Sequence, residues 1–360
     1  FTTTRNTVAT RVNENGLIEE VASNVPRLDY SDGGCPSLLL EPSSTNLVTY
    51  SEDFSNVAWT KALTGVASAP VVTANQGISP DGTLNADRIV FDLNGGASSG
   101  DGSIIQQVIT LTGINVNTRS VYLKSNTNLS YDIILGTNTA NSSAEKITVT
   151  TEWQRFEVTQ TPTTTATNFY LGLRNAFGFS GLSDSADVLV YGASLEENSY
   201  ATSYIKTVGT TQTRVADTAS KTGLSSLIGQ SEGVLFVDFI PKDTATQIVY
   251  QIRTSGSTNV GQIDIRLTGG TINTLGNDGG SAQFNITGHS FNVGTRYKCA
   301  IRYKQNDVAF YINGVLIGTD VVASFNSSSK DQVSFGENIT SFVARAGIKD
   351  ARVYTTALTD

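Results

Sequence analysis

Methionine is absent from the 360 residues, histidine occurs once and cysteine twice. One histidine and two distant cysteines are too few for a zinc site of the usual Cys/His type. Cys35 and Cys299 follow no metal-ligand spacing and read as buried small hydrophobes rather than a disulfide framework. Charged residues are only 16% of the chain, too sparse for the Glu-, Lys- and Arg-rich surfaces of helix bundles. No apolar run approaches the ~18 residues of a membrane span. A net charge of −8 leaves no basic field for nucleic-acid phosphates. The chain opens abruptly at Phe1 without a leader pattern, as expected of a piece of a longer polypeptide.

What is present is period-two alternation with polar turns between. Residues 103–111 (SIIQQVITL), 119–125, 131–136, 153–160, 168–174 and 187–196 (DVLVYGASLE) read as strands. A second series starts at Gly233 with GVLFVDFI and runs through TQIVYQIRT, GQIDIRLTG, RYKCAIRYK, DVAFYINGVLIG and ARAGIKDARVYT. Asn313-Gly314 inside INGV is a hairpin turn signal. Short strands without βαβ alternation predict an all-β chain of two tandem antiparallel β-sandwich (jelly-roll) domains. The expected boundaries are an extended N-terminal arm over 1–45, a sandwich over 46–207, a polar linker over 208–232 and a second sandwich over 233–360.

Glu196-Glu197 is the carboxylate pair that most resembles catalytic machinery. Successive strand side chains point to opposite faces, so the two cannot meet one substrate together. Glycosidases hold their acids about 5–9.5 Å apart across a sugar bond, and no acid-x-acid spacing occurs in the chain. Glu196-Glu197 is therefore expected to be a strand terminus with one glutamate bonded to a loop. Acids from separate strands could still converge. His289, in GHSFNVG, is expected on a loop before a strand, lacking a positioned nucleophile and oxyanion donors.

Binding remains. Sugars offer apolar C–H faces to aromatic rings and hydroxyl rims to Asn, Asp and Gln. Trp59 and Trp153 are candidates, although both stand in strand-like settings that favour packing. Phe177 and Phe179, with Asp184 nearby, lie in the Gly/Ser-rich stretch RNAFGFSGLSDSAD and either meet a ligand or pack on protein. In TLGNDGGSAQFN, Asn277 and Asp278 form a thin oxygen set for Ca²⁺, with a solvated hairpin as the alternative.

Residues 294–318 (GTRYKCAIRYKQNDVAFYINGVLIG) and 347–360 (GIKDARVYTTALTD) resemble the laminin-G and concanavalin-A-like lectin superfamily. The pieces NLVTYSEDFSNVAWTK, SIIQQVITLTGINVNTRSVYLKS, TTEWQRFEVTQTPTT and DVLVYGASLEENSYATSYIKT are similar to carbohydrate-binding modules of the jelly-roll type. Across nearly the whole chain, TRNTVATRVNENGLIEEVASNVPRLDY, CPSLLLEPSSTNLVTYSEDF and GASLEENSYATSYIKT followed by TRVAD resemble fibre or appendage proteins of tailed bacteriophages and prophages. Lys206 departs from that pattern, where such sequences have Pro. The resemblance implies a non-enzymatic virion protein, homo-oligomeric with a trimer favoured, that contacts other virion proteins and attaches to bacterial surface polysaccharide. The alternatives are a capsid or tail decoration protein that binds no glycan and a polysaccharide depolymerase.

Overall fold

The structure is a computed structural model; it describes residues 1–137, 144–257, 259–325, 328–336 and 342–358. The protein is all-β. Among the described residues the helical content is one 3-10 turn, Asn175–Phe177, and no helix is long and apolar enough to cross a membrane. The chain forms two compact units.

One unit comprises residues 15–19 and 44–214. It contains two five-stranded antiparallel sheets and a small two-stranded piece. The alternating stretches found in the sequence are its strands Gly102–Thr110, Asn117–Ser125, Tyr131–Gly136, Gln154–Gln160, Ala166–Arg174 and Ser185–Glu196. Ile89, Phe91, Val121, Leu123, Val188 and Val190 from one sheet meet Ile105, Ile133, Leu135, Phe169 and Leu171 from the other in one buried core. That interleaving of alternate apolar residues is the driving term for the sandwich.

The other unit comprises residues 1–14, 20–43 and 215–360, with two seven-stranded sheets. Leu235, Val237 and Phe239 pack with Cys299 and Ile301 of one sheet against Ile252, Ile263, Ile265 and Leu267 of the other. The INGV turn is as its residues dictate. Asn313 and Gly314 have φ of 52° and 80° between Val308–Ile312 and Val315–Asp320, the left-handed pair that a two-residue hairpin needs.

Three segments differ from expectation. Residues 1–45 supply sheet strands: Thr2–Thr4 pairs with Thr218–Lys221, while Ser37–Leu40 pairs with Ala346–Tyr354 and in turn with Leu28–Asp29. These pieces are too short for a periodic signal, and their partners are far away in the sequence. Within 208–232 stand the strands Gln212–Arg214, in the first sandwich, and Thr218–Lys221, in the second. Residues 274–285 are mostly two paired strands, Thr271–Asp278 and Ser281–Ser290, joined at Gly279-Gly280. That second strand runs through His289, which is exposed with Nδ1 2.9 Å from the Ser290 carbonyl.

Both cysteines are free. Cys299 is a core thiol whose pKa burial pushes up. Cys35 differs from expectation in being exposed.

Candidate functional site

Glu196 and Glu197 diverge as strand geometry requires. Glu196 ends Ser185–Glu196 fully buried, accepting from the hydroxyls of Ser44, Ser194 and Thr202 and from the Thr202 amide. Burial raises its pKa above the ordinary carboxylate value, against the pull of Arg155 and the hydroxyl donors. Glu197 accepts from the Thr112 hydroxyl at 2.6 Å and from the Thr112 and Gly113 amides, tying down a loop. The two carboxylates do not share a site.

The sugar-stacking candidates fall into three environments. Trp59 is 1% exposed, 4.8 Å from Phe54 and edge-on to Phe169 at 5.6 Å, with Nε1 donating to the Tyr50 carbonyl. A ring so enclosed presents no face to a sugar, which removes Trp59 as a binding residue. Trp153 is half-buried beside Tyr191 and Tyr204, its Nε1 donating to the Ile78 carbonyl at 3.0 Å. Phe177 and Phe179 come together at 6.3 Å, with Phe177 edge-on to Tyr170 at 5.8 Å and the Arg174 guanidinium 5.7 Å over its ring. Both phenylalanines stay half-buried, and Asp184 is exposed.

Asn277 and Asp278 are 7% and 4% exposed, closing a strand rather than lining a mobile loop. The Asn277 amide reaches the Gln262 side chain of its own sheet. A cation approaching from solvent would not meet them as an open ligand set. Among the described residues no group of three or more His, Cys, Asp or Glu could hold a metal ion.

A broad depression lies elsewhere, on the outer face of one sheet of the second sandwich, with a volume of about 1060 Å³. Three strands form its floor: Glu232–Pro241, Tyr297–Lys304 and Ala346–Tyr354. Their registers set side chains in rows across the sheet. Lys298 stands opposite Asp238, and Asp238 opposite Asp350; Ala300 stands opposite Phe236, and Phe236 opposite Arg352; Val234 stands opposite Tyr354. Asp238–Asp350 continues the register of Phe236–Arg352 and Val234–Tyr354; a β-bulge just beyond it, at Asp238/Phe239, skips Lys349 and pairs Phe239 with Ile348. Ala300, a small residue, ends the middle row, in which Phe236 is central. Gly33 and Gly34, with φ of 73° and 67°, turn the Asp32–Cys35 loop at the rim, where Lys349 Nζ donates to the Cys35 carbonyl at 2.7 Å.

The floor is aromatic and the walls are paired charge. Tyr354 is 36% exposed, and Phe236 is half-buried under the Arg352 guanidinium, 6.0 Å from its ring. Arg296 forks Asp238 at 2.7 and 2.6 Å, and Arg352 holds one oxygen of Asp350 at 2.8 and 2.6 Å. The carboxylate of Asp238 raises the Arg296 pKa, and that of Asp350 raises the Arg352 pKa, chiefly through these hydrogen bonds. Such forks fix planar donors in place around the aromatic row. None of these residues stood out from the sequence. The available signal was the alternation itself: Phe236 and Asp238, Arg296 and Lys298, and Asp350, Arg352 and Tyr354 each repeat at period two on the face away from the core.

Residues 235–360 match the family model described as the Concanavalin A-like lectin/glucanases superfamily. No curated protein sequence matches the chain. Among solved structures, a heptameric SAP-like pentraxin from Limulus polyphemus is 19% identical over 37% of this chain and 68% of its own, with a TM-score of 0.32. The Ruminococcus gnavus IT-sialidase CBM40 is 19% identical over 37% of this chain and 80% of its own, at 0.31. The Caenorhabditis elegans galectin LEC-6 is 14% identical over 38% of this chain and 89% of its own, at 0.28. The residues that match the lectin/glucanase model include the floor strands Tyr297–Lys304 and Ala346–Tyr354 and all of Glu232–Pro241 from Leu235 on.

Proposed function

We propose that the protein is a non-enzymatic glycan-binding component of a bacteriophage virion, attaching the particle to bacterial surface polysaccharide. The observation that carries the binding reading is the groove: an open tyrosine and a half-buried phenylalanine among forked ion pairs, on a lectin-like domain. A sugar ring lies on the Tyr354 side of the aromatic row, with its hydroxyls on the guanidinium and carboxylate edges around it. Phe177 and Phe179 on the first sandwich give a second, weaker stacking surface. A homo-oligomer, with three copies as the favoured number, multiplies weak contacts through effective concentration. The virion assignment is supported by the sequence resemblance across nearly the whole chain and concerns the particle's surface; mass spectrometry of purified particles tests it.

A second reading, as a depolymerase, has one observation in its favour. Asp238 and Asp350 face each other across adjacent strands, where opposed Cβ atoms are about 4.5–5.5 Å apart. That spacing overlaps the ~5–5.5 Å between the carboxyl groups of retaining glycosidases. Yet both oxygens of Asp238 accept from Arg296, and Asp350 accepts from Arg352. An acid that must hand a proton to a leaving group is poorly served by a guanidinium fork, so the geometry favours binding.

The deciding experiment incubates the oligomer with bacterial, marine and plant polysaccharides, measuring retained protein and released reducing ends in the same tubes. Retention without release is expected. Release establishes the depolymerase, and absence of retention on every polymer leaves a decoration protein without glycan binding.

A further inference from the structure

The charges around the groove do not cancel. Its carboxylates are Asp32, Asp238 and Asp350, and each has a cation: Lys242, Arg296 and Arg352 respectively. Two lysines of the lining remain. Lys349 donates to a neutral carbonyl, and the exposed Lys298 ammonium has no acidic partner among the described residues. The chain as a whole carries −8. A depression holding surplus positive charge on an otherwise acidic molecule focuses anions toward itself, while the remaining surface repels them. Lys298 begins the row that continues through Asp238 and Asp350, next to the row of Phe236 and Arg352, so charge and ring face are one row apart.

We propose that the groove takes an acidic polysaccharide, with Lys298 and Lys349 meeting carboxylate or sulfate groups of sugars that stack beside Phe236 and Tyr354. This rests on the glycan-binding reading and names its ligand class. A carboxylate or sulfate supplies the counter-charge that the groove's own acids, already paired, do not give to the lysines.

The test measures retention of the full chain on alginate, dextran sulfate, neutral dextran and polyphosphate at low and high salt, alongside Lys298→Glu and Lys349→Gln. Both substitutions lie at solvent-accessible positions, and an unchanged thermal transition verifies folding. The expected result is retention on alginate, dextran sulfate or both at low salt, about tenfold weaker in Lys298→Glu, weaker in Lys349→Gln and largely lost at high salt as screening shortens the field. Alginate alone identifies the carboxylate, dextran sulfate alone the sulfate, and either supports the proposal. Equal, salt-insensitive retention on neutral dextran overturns the acidic ligand while leaving glycan binding in place. Equal retention on polyphosphate overturns a sugar-specific site. Unchanged binding by folded Lys298→Glu removes the groove as the location. Retention on none of the polymers removes the glycan reading itself.

Discussion

Arg27 and Asp217 stand 190 positions apart in the sequence and form an ion pair with both side chains closed to solvent. Asp217 also takes Arg5 at 3.0 Å, and Arg27 takes Glu41 at 2.7 Å. Asp217 and Glu41 hold the Arg27 pKa up against its burial, which pulls the other way. The segments 1–14, 20–43 and 215–360 therefore share a charged centre that none of them could satisfy alone.

Asp217→Ala takes the carboxylate from buried Arg5 and leaves buried Arg27 with Glu41 alone. The expected loss is ~3–5 kcal/mol of unfolding free energy, seen as a lower denaturant midpoint. Glu232→Gln, at the more exposed pair with Lys304, changes it by less than ~1 kcal/mol. Equal effects at the two sites would contradict the account.

Glu196 gives a pH dependence of defined sign. Its folded pKa is raised above the ordinary value of 4.5 by burial, so the folded state binds the proton more tightly than the unfolded chain. The stabilisation is complete below the unfolded pKa and is lost as pH rises through the folded one. Relative to Glu196→Gln, the wild type is expected to melt progressively lower as pH climbs from about 4. Melting curves from acid to neutral pH, running parallel for the two proteins, would refute it.

Tyr354→Ala is expected to weaken glycan binding about tenfold, or ~1.4 kcal/mol, in the range of an aromatic stacking contact. Its unfolding transition should barely move, because the ring is 36% exposed. Trp59→Ala behaves in the opposite way, costing ~3–5 kcal/mol of stability and altering binding only through unfolding. Calorimetric titration beside thermal melts separates the two.

Phe177→Ala combined with Phe179→Ala tests the second stacking surface. Retention on a long polymer should fall, while affinity for a short oligosaccharide held in the groove stays constant, because only the polymer has repeat units enough to occupy more than one surface. A parallel loss with the oligosaccharide would place the effect in folding instead.

Much of the fold was legible because burial of alternate side chains writes itself into the sequence at period two. DVLVYGASLE, GVLFVDFI and the INGV turn needed no partner to be recognised. The same rule separates Glu196 from Glu197 on sequence alone, since adjacent residues on a strand cannot share a face. Pieces such as Thr2–Thr4, Leu28–Asp29 and Ser37–Leu40 carry too few residues for a period, and only their distant partners make them strands. Trp59 could be identified as a candidate but not assigned to the core until Phe54 and Phe169 closed around it.

The sequence by itself determined the all-β character, the polar turns and the parity of each side chain along its strand. All of these follow from neighbours a few residues apart. Tertiary structure alone decided that Lys298, Asp238 and Asp350 form one row and Ala300, Phe236 and Arg352 the next. Register between strands more than fifty residues apart is fixed by the packing of the whole core, and no local stretch of the chain encodes it.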